Sequence, residues 1–181
     1  MRVKQALSLL LLSASLFAAP TYAAADTKIE RERTRSVEAF DATFSHLPSS
    51  RARIGLRRAW SNLEKGNTLY ERASRERNRT KRARLYDKAS RELEKALDKT
   101  DRIGRSHRRS GVVVRAVKDV MMRVSIALQR TNLALADAYV SRGAYKNALD
   151  AVDQVLYLDP KNAEAVQLKK HIQLIKATSF R

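Results

Sequence analysis

The chain has 181 residues, and its 37 Lys and Arg against 19 Asp and Glu give a formal net charge of +18 at pH 7. It contains no cysteine, which excludes a disulfide framework, a thiolate metal site and a lipid-modified cysteine. Only 5 Gly and 3 Pro are present, and the helix-forming residues Ala, Leu, Arg, Lys and Glu are abundant. This composition predicts an all-α fold.

The first 25 residues follow the order of a secretory signal peptide. Arg2 and Lys4 precede an apolar run over 6–19, and small residues are frequent at 20–25. The apolar run is about 14 residues long, shorter than the roughly 20 residues that span a bilayer, which argues against an uncleaved membrane anchor. We therefore expect residues 1–25 to be removed during export to a bacterial periplasm or to the medium. The mature chain of about 155 residues suits one domain.

Positive charge is concentrated in the middle of the chain. Residues 51–84 carry twelve Arg or Lys against three Glu, and 101–130 carry eight against two Asp, whereas 131–181 carry seven against five acidic residues. Clustered positive charge attracts polyanions through long-range fields and counterion release. Export and the lack of aromatic residues among the arginines argue against nucleic acid as the partner. The remaining alternatives are an anionic envelope component, an acidic protein, or simply a solvated helix surface.

The mature chain begins with two predicted elements, a lead-in helix or linker over 26–50 and a basic hairpin over 51–99. Apolar residues recur at three- and four-residue steps over 51–78 and again over 80–99, which places each set on one face of a helix. Each apolar face needs a partner. The two helices are therefore expected to pack against each other.

The second half of the chain is predicted to contain three further helices. Residues 101–111 hold two glycines, four arginines and no apolar period, so a solvated loop is expected there. A long helix is predicted over 112–141, and Gly143 can supply the left-handed backbone with which many helices end. A short helix over 144–158 and a capping helix over 163–178 complete a domain of antiparallel hairpins that covers 51–181.

A resemblance to a known family lies in residues 129–162, which read QRTNLALADAYVSRGAYKNALDAVDQVLYLDPKN. They resemble one tetratricopeptide repeat, a helix-turn-helix unit of about 34 residues. Asn132 stands where the family usually has Trp, and Val155 where it usually has Ala. The resemblance implies an α-solenoid fragment, with the long helix and the repeat over 112–162, whose packing residues are Leu135, Ala136, Tyr139, Gly143, Tyr145, Ala148, Val152, Val155 and Pro160.

A second segment, within about 58–99, resembles a degenerate repeat. Its two helices are lengthened by residues 74–85, and the alternative is an ordinary helical hairpin. Repeats bury their apolar faces against neighbouring repeats, and roughly three are usually needed for stability. With fewer repeats here, the additional helices or self-association must cover the exposed faces.

The resemblance also implies a function, since tetratricopeptide repeats bind peptides or protein segments on the groove lined by their first helices. Some members grip a terminal carboxylate with Lys and Asn; Asn67 matches that pattern, but Leu63 stands where Lys is expected, so this mechanism is not carried over. We expect a non-catalytic adaptor or scaffold for protein–protein interaction. Its groove residues would be Arg130, Leu133, Asp137 and Val140.

The alternative function is an anion-binding patch in the basic middle of the chain. If 51–99 folds as a hairpin, two arginine-rich clusters are expected to meet on one side. This patch would bind anionic envelope polymers or a membrane surface, with a strong dependence on salt. Its residues would be Arg75, Arg77, Arg79, Lys81, Arg82, Arg84, Arg102, Arg105, Arg108 and Arg109.

Residue patterns typical of catalysis are not recognisable in the sequence. His46, His107 and His171 are far apart and lack a spacing that would place metal ligands on one helix. There is no glycine-rich phosphate loop, nucleophile elbow or paired-carboxylate arrangement. We therefore expect neither an enzyme nor a resident metal or cofactor.

Overall fold

A computed structural model of the chain describes residues 34, 37–47 and 49–178. The contacts divide the chain into two units, residues 1–42 and residues 43–181. In the first unit, residues 34 and 37–42 are helical. The predicted signal peptide lies outside the described residues and stays a prediction. Of the predicted lead-in segment over 26–50, residues 26–33, 35, 36 and 48 lie outside them.

The described part of the second unit contains five helices of 14 to 30 residues. They are α1 (Ser50–Arg75), α2 (Arg79–Ser106), α3 (Gly111–Val140), α4 (Tyr145–Leu158) and α5 (Ala163–Thr178). The described residues include no strand, and the all-α fold class is confirmed. The long helix was predicted within one residue at each end, because its apolar period is continuous over 30 residues.

The helices form a series of antiparallel hairpins. Each helix packs against the next in the chain, and α1 also contacts α3. The connections are turns of three or four residues, at 76–78, 107–110, 141–144 and 159–162. Connections this short require consecutive helices to run antiparallel. Residues 74–85, which lengthen the first hairpin, form the ends of α1 and α2 around the turn at 76–78.

The predicted loop over 101–111 is wrong for most of its length. Residues 101–106 are the last turns of α2, and only 107–110 form the connection to α3. Helix α2 is therefore 28 residues long and reaches back along the N-terminal turns of α1. This extension changes which charged residues become neighbours.

Residues 101–106 are kept helical by contacts that are difficult to predict from sequence patterns. Ile103 lies so close to the α1 backbone that a Cβ on Gly55 would be 2.8 Å from its Cδ1 atom. Arg102 pairs with Asp98 one turn earlier, at 2.8 Å between Nη2 and Oδ2, and Arg105 pairs in the same way with Asp101. A single partly buried aliphatic residue in a run of charge does not produce a detectable apolar period. Packing and local ion pairs nevertheless stabilise the helix.

Gly143 ends α3 as predicted. Its φ is +69°, in the left-handed region, and its N–H donates to the Val140 carbonyl oxygen at 2.9 Å. The N–H of Ala144 donates to the Tyr139 carbonyl oxygen at 3.0 Å. These bonds satisfy carbonyl groups at the end of α3 and reverse the chain into α4.

One core cluster joins the first hairpin to the C-terminal helices of the second unit. Buried residues from every helix belong to one apolar cluster, including Ala73 of α1, Tyr86 of α2 and Ile172 of α5. Tyr139 and Tyr145 pack against this cluster and are partly buried, whereas Pro160 is exposed in the turn after α4. The other residues to which the sequence assigned a packing role lie inside the cluster: Leu135, Ala136, Ala148, Val152 and Val155.

A polar contact is buried between α2, α3 and α4. The Ser90 hydroxyl donates to Asn132 Oδ1 at 2.7 Å, and Asn132 Nδ2 donates to Gln154 Oε1 at 3.0 Å. Asn132 is fully buried and Ser90 nearly so, whereas Gln154 is exposed. Asn132 thus links three helices at the position where the repeat family usually places a large side chain.

Glu92 of α2 pairs with Lys65 of α1 and with Lys95 one turn later on α2, and its replacement tests these two ion pairs. Its Oε1 lies 3.2 Å from Lys65 Nζ and 2.8 Å from Lys95 Nζ. Burial alone would raise the pKa of Glu92, but the hydrogen bonds from Lys95 and Lys65 lower it below its ordinary value of 4.5. The folded state therefore favours the ionised carboxylate. Its contribution is present above the unfolded pKa and is lost as the pH falls through the lower folded pKa.

We expect Glu92→Gln to lower the free energy of unfolding by about 1 kcal/mol near neutral pH. This difference from the wild type should narrow as the pH is lowered from about 5 towards 2. Urea unfolding across that pH range measures it. Glu71→Gln is the matched control, since Glu71 is exposed on α1 and has no ion pair among the described residues. A loss in Glu92→Gln that stays constant with pH would show that the carboxylate charge is not responsible.

Candidate functional site

A groove of about 410 Å³ lies along α3, between α1 and the start of α5. Three of the four predicted groove residues line it, namely Arg130, Leu133 and Asp137. Val140 does not line this groove. It is the last residue of α3, and its side chain packs against the core cluster that joins the five helices instead.

The groove also contains residues that sequence reasoning did not assign to it. Tyr70 comes from α1, Ile126 from the middle of α3 and Glu164 from the first turn of α5. These residues meet because α1, α3 and α5 are alternate helices of the hairpin series, so they share one side of it. The family resemblance predicts which side of the helices forms the groove. Which residue of α1 lies opposite Arg130 depends on how α1 packs against α3, and the sequence does not predict this.

Arg130 makes one end of the groove basic. Its guanidinium carbon lies 4.0 Å from the centroid of the Tyr70 ring, and its Nη2 donates to Asn67 Oδ1 at 3.4 Å. The Tyr70 ring in turn lies against Tyr86, with 5.4 Å between the ring centroids. A guanidinium over an aromatic face is held in place without losing its charge. Because this hydrogen bond uses one of five donors, Arg130 can still bind an anionic or carbonyl group.

The other end of the groove is acidic. Asp137 lies two helical turns beyond Arg130, about 10 Å along the axis, and Glu164 lines the same groove. Loss of solvation raises the pKa of Asp137, the charge of Glu164 raises it further, and His171 partly offsets both effects. Although Asp137 is exposed at the surface, the protein around it removes enough water to disfavour its charge. A cation bound here would relieve this cost.

Apolar surface lies between the charged ends and also beyond the basic one. Leu133 lies between Arg130 and Asp137 along α3 and is nearly buried in the floor, whereas Ile126 lies one turn before Arg130, on the side away from Asp137, and is 61% exposed. An isoleucine this exposed on a long helix has much of its apolar surface in contact with water. Along α3 the groove thus offers an exposed isoleucine, a basic group, an apolar floor and an acidic residue, to which α5 adds Glu164.

The two arginine-rich clusters of the predicted anion patch do not come together. The cluster over 75–84 surrounds the turn between α1 and α2, whereas the cluster over 102–109 surrounds the turn between α2 and α3. Arg82 and Arg102 are 20 residues apart on one continuous helix, which corresponds to about 30 Å. The prediction that both clusters share one side is therefore wrong.

Several residues of these clusters make local contacts instead. Lys81 Nζ lies 2.9 Å from Glu76 Oε2, and Arg79 Nη1 donates to the Ser141 carbonyl oxygen at 3.4 Å. Arg102 and Arg105 pair with aspartates on α2. These contacts connect turns and helix ends, so much of the charge has a structural role.

The three histidines remain apart in the structure. His107 caps α2, with its Nδ1 3.2 Å from the Ile103 carbonyl oxygen, and His171 is exposed on α5. Across residues 34, 37–47 and 49–178, no group of three or more His, Asp or Glu side chains could hold a metal ion.

None of the helices in that part of the chain has the length and apolar character needed to cross a membrane.

No protein-family model, curated protein or solved structure matches the chain.

Proposed function

We propose that the chain is an exported, tetratricopeptide-like adaptor of the bacterial cell envelope that binds a protein segment in the groove along α3 and catalyses no reaction. The observation that supports this proposal is the groove itself. Arg130, Leu133 and Asp137, which the family resemblance assigns to partner binding, line a single groove with Tyr70 of α1 and Glu164 of α5. Export rests on the signal-peptide pattern of residues 1–25.

The groove favours a particular kind of segment. An extended chain rises about 3.3 Å per residue, and the basic and acidic ends are about 10 Å apart along α3. A segment with an acidic residue about three positions from a basic residue would place its carboxylate at Arg130 and its cation at Asp137 and Glu164. An apolar side chain between them would lie on Leu133, and an apolar side chain on the far side of the acidic residue would lie on Ile126. Charge complementarity would set the direction of the segment, and apolar burial would contribute affinity.

Site-specific photo-crosslinking in cells tests this proposal. A photoreactive residue at position 126 places the crosslinker in the groove, and the same residue at position 157 is the control. Tyr157 is 87% exposed on α4 and does not line this groove. We expect position 126 to give an adduct with a defined envelope protein that position 157 does not give.

Groove variants make the crosslinking test specific. Arg130→Ala and Asp137→Asn each remove a charged contact, so each should lower the yield of the position 126 adduct about tenfold at limiting protein concentration. Lys146→Ala, an exposed change on α4, should leave the yield unchanged. Adducts that form equally from both positions, or that survive both groove variants, would refute binding in the groove.

A further inference from the structure

A second cavity lies where the N-terminal turns of α1 meet the C-terminal turns of α2. Its volume is about 590 Å³. It depends on the extension of α2 through residues 101–106, because a loop there would leave this side of α1 uncovered. Its lining includes Arg51, Ile54 and Arg58 from α1, with Arg102, Ile103 and His107 from α2 and its cap.

The cavity carries positive charge without an acidic residue in its lining. Arg102 is neutralised by Asp98, with 3.1 Å from Nε to Oδ1 and 2.8 Å from Nη2 to Oδ2. Arg51 and Arg58, by contrast, have no acidic partner in the described part of the chain. Two unpaired guanidinium groups beside one cavity attract an anion strongly.

The cavity also has an apolar side. Ile103 lies directly on the α1 backbone at Gly55, where an added Cβ would be 2.8 Å from its Cδ1 atom. Ile54 lies beside it and is 53% exposed. A ligand with both an anionic and an apolar part would therefore fit better than an isolated inorganic ion.

We propose that this cavity binds a phosphate group attached to an organic substituent, with Arg51 and Arg58 as the residues that hold the phosphate. The planar guanidinium has a fork of N–H donors that matches two phosphate oxygens at once. Ile54 and Ile103 would contact the substituent. Both a lipid headgroup and a soluble phosphate ester have this chemistry. The site is separate from the groove along α3, so it does not depend on the adaptor function.

Binding measurements with two probes distinguish these sources. Glycerol 3-phosphate, titrated by calorimetry, represents a soluble ester. Sedimentation with vesicles of phosphatidylcholine, alone or mixed in equal parts with phosphatidylglycerol, represents a headgroup. We expect the wild-type chain to bind glycerol 3-phosphate, the mixed vesicles, or both, and to bind the mixed vesicles more than pure phosphatidylcholine.

The decisive comparison keeps net charge constant between variants. Arg51→Gln with Arg58→Gln removes both proposed ligands and should weaken binding at least about tenfold. Arg72→Gln with Lys88→Gln removes the same charge from exposed positions elsewhere on α1 and α2 and should bind like the wild type. Arg51→Lys with Arg58→Lys retains the charge but not the fork, so intermediate affinity is expected. If the double glutamine variant does not fold, the double lysine variant is compared with the control variant in its place.

Each outcome bears on the proposal. Binding of glycerol 3-phosphate that is lost only in the cavity variants supports a soluble ester, and binding of the mixed vesicles alone with the same loss supports a lipid headgroup. Equal losses in the cavity and control variants would mean that the net charge of +18 attracts anions without a site. That result, or no binding of either probe by the wild type, would overturn the proposal, whereas groove crosslinking would be unaffected.

Discussion

Replacing Asn132 with alanine is expected to lower the free energy of unfolding by about 2 kcal/mol. Asn132 is fully buried, and its Oδ1 accepts the Ser90 hydroxyl at 2.7 Å. The alanine variant loses this bond, removes packing atoms from a closed region between three helices and leaves Ser90 to bond elsewhere. Gln154 adds little to the loss, because it is exposed and can bond to water. Urea unfolding with an unchanged m-value measures the effect.

A double-mutant cycle with Ser90 separates the hydrogen bond from the packing. Ser90→Ala alone leaves Asn132 Oδ1 buried without its donor and should cost about 1 kcal/mol. Combined with Asn132→Ala, it should cost less than the sum of the single changes, because the second change removes the partner that the first had left unsatisfied. Additive losses would show that the Ser90–Asn132 bond does not contribute to stability.

Replacing Gly66 with alanine is expected to destabilise the chain by about 1 to 2 kcal/mol, although alanine is the better helix former. Gly66 is buried on α1, where it faces α2. An added Cβ would be 2.6 Å from Leu93 Cγ and 2.7 Å from Leu93 Cδ2. Leu93 is fully buried and cannot move freely. The clash should therefore exceed the gain of about 1 kcal/mol in helix propensity.

Gly111→Ala is the matched control for this change. Gly111 begins α3, and an added Cβ there would meet no atom within 4 Å. Its replacement should leave the stability unchanged or raise it by up to about 1 kcal/mol. Leu93→Ala in the Gly66→Ala background should cost less than Leu93→Ala alone, because the added methyl fills space that the leucine vacates. A Gly66→Ala variant as stable as the wild type would show that α1 and α2 can separate at little cost.

The groove and the basic cavity lie at different ends of α1. Tyr70 and Arg130 meet towards the C-terminal end of α1, whereas Arg51 and Arg58 lie at its N-terminal end. Arg58 and Tyr70 are 12 residues apart, which corresponds to about 18 Å along a helix. The two proposed binding events therefore use separate residues. Variants in one site are suitable controls for the other.

The loop expected over 101–111 resulted from treating Arg102 and its neighbours as solvated residues outside a helix. One partly buried residue, Ile103, and ion pairs four positions apart were enough to continue α2. The single anion patch failed for another reason, because its two clusters flank opposite ends of α2 and the length of the helix keeps them apart. The continuation of α2 instead brings Arg102 near Arg51 and Arg58.

The groove was predicted in part, for a reason that Val140 illustrates. A family pattern identifies which residues lie on the exposed side of a first helix while the helix continues. Val140 ends α3, and its side chain turns into the core next to the reversal at Gly143. Tyr70 was recognised only as an apolar residue of α1, since its contact with Arg130 joins positions 60 residues apart.

The sequence by itself determined the helical class, the apolar face of each helix and the reversal at Gly143. Each of these depends on residues within about four positions of one another, where spacing and backbone preference act directly. Only the tertiary structure decided that Asn132 bonds Ser90, that Arg130 lies on Tyr70 and that Arg51, Arg58 and Arg102 line one cavity. These contacts depend on the length and relative register of packed helices, which a single packed side chain such as Ile103 can change.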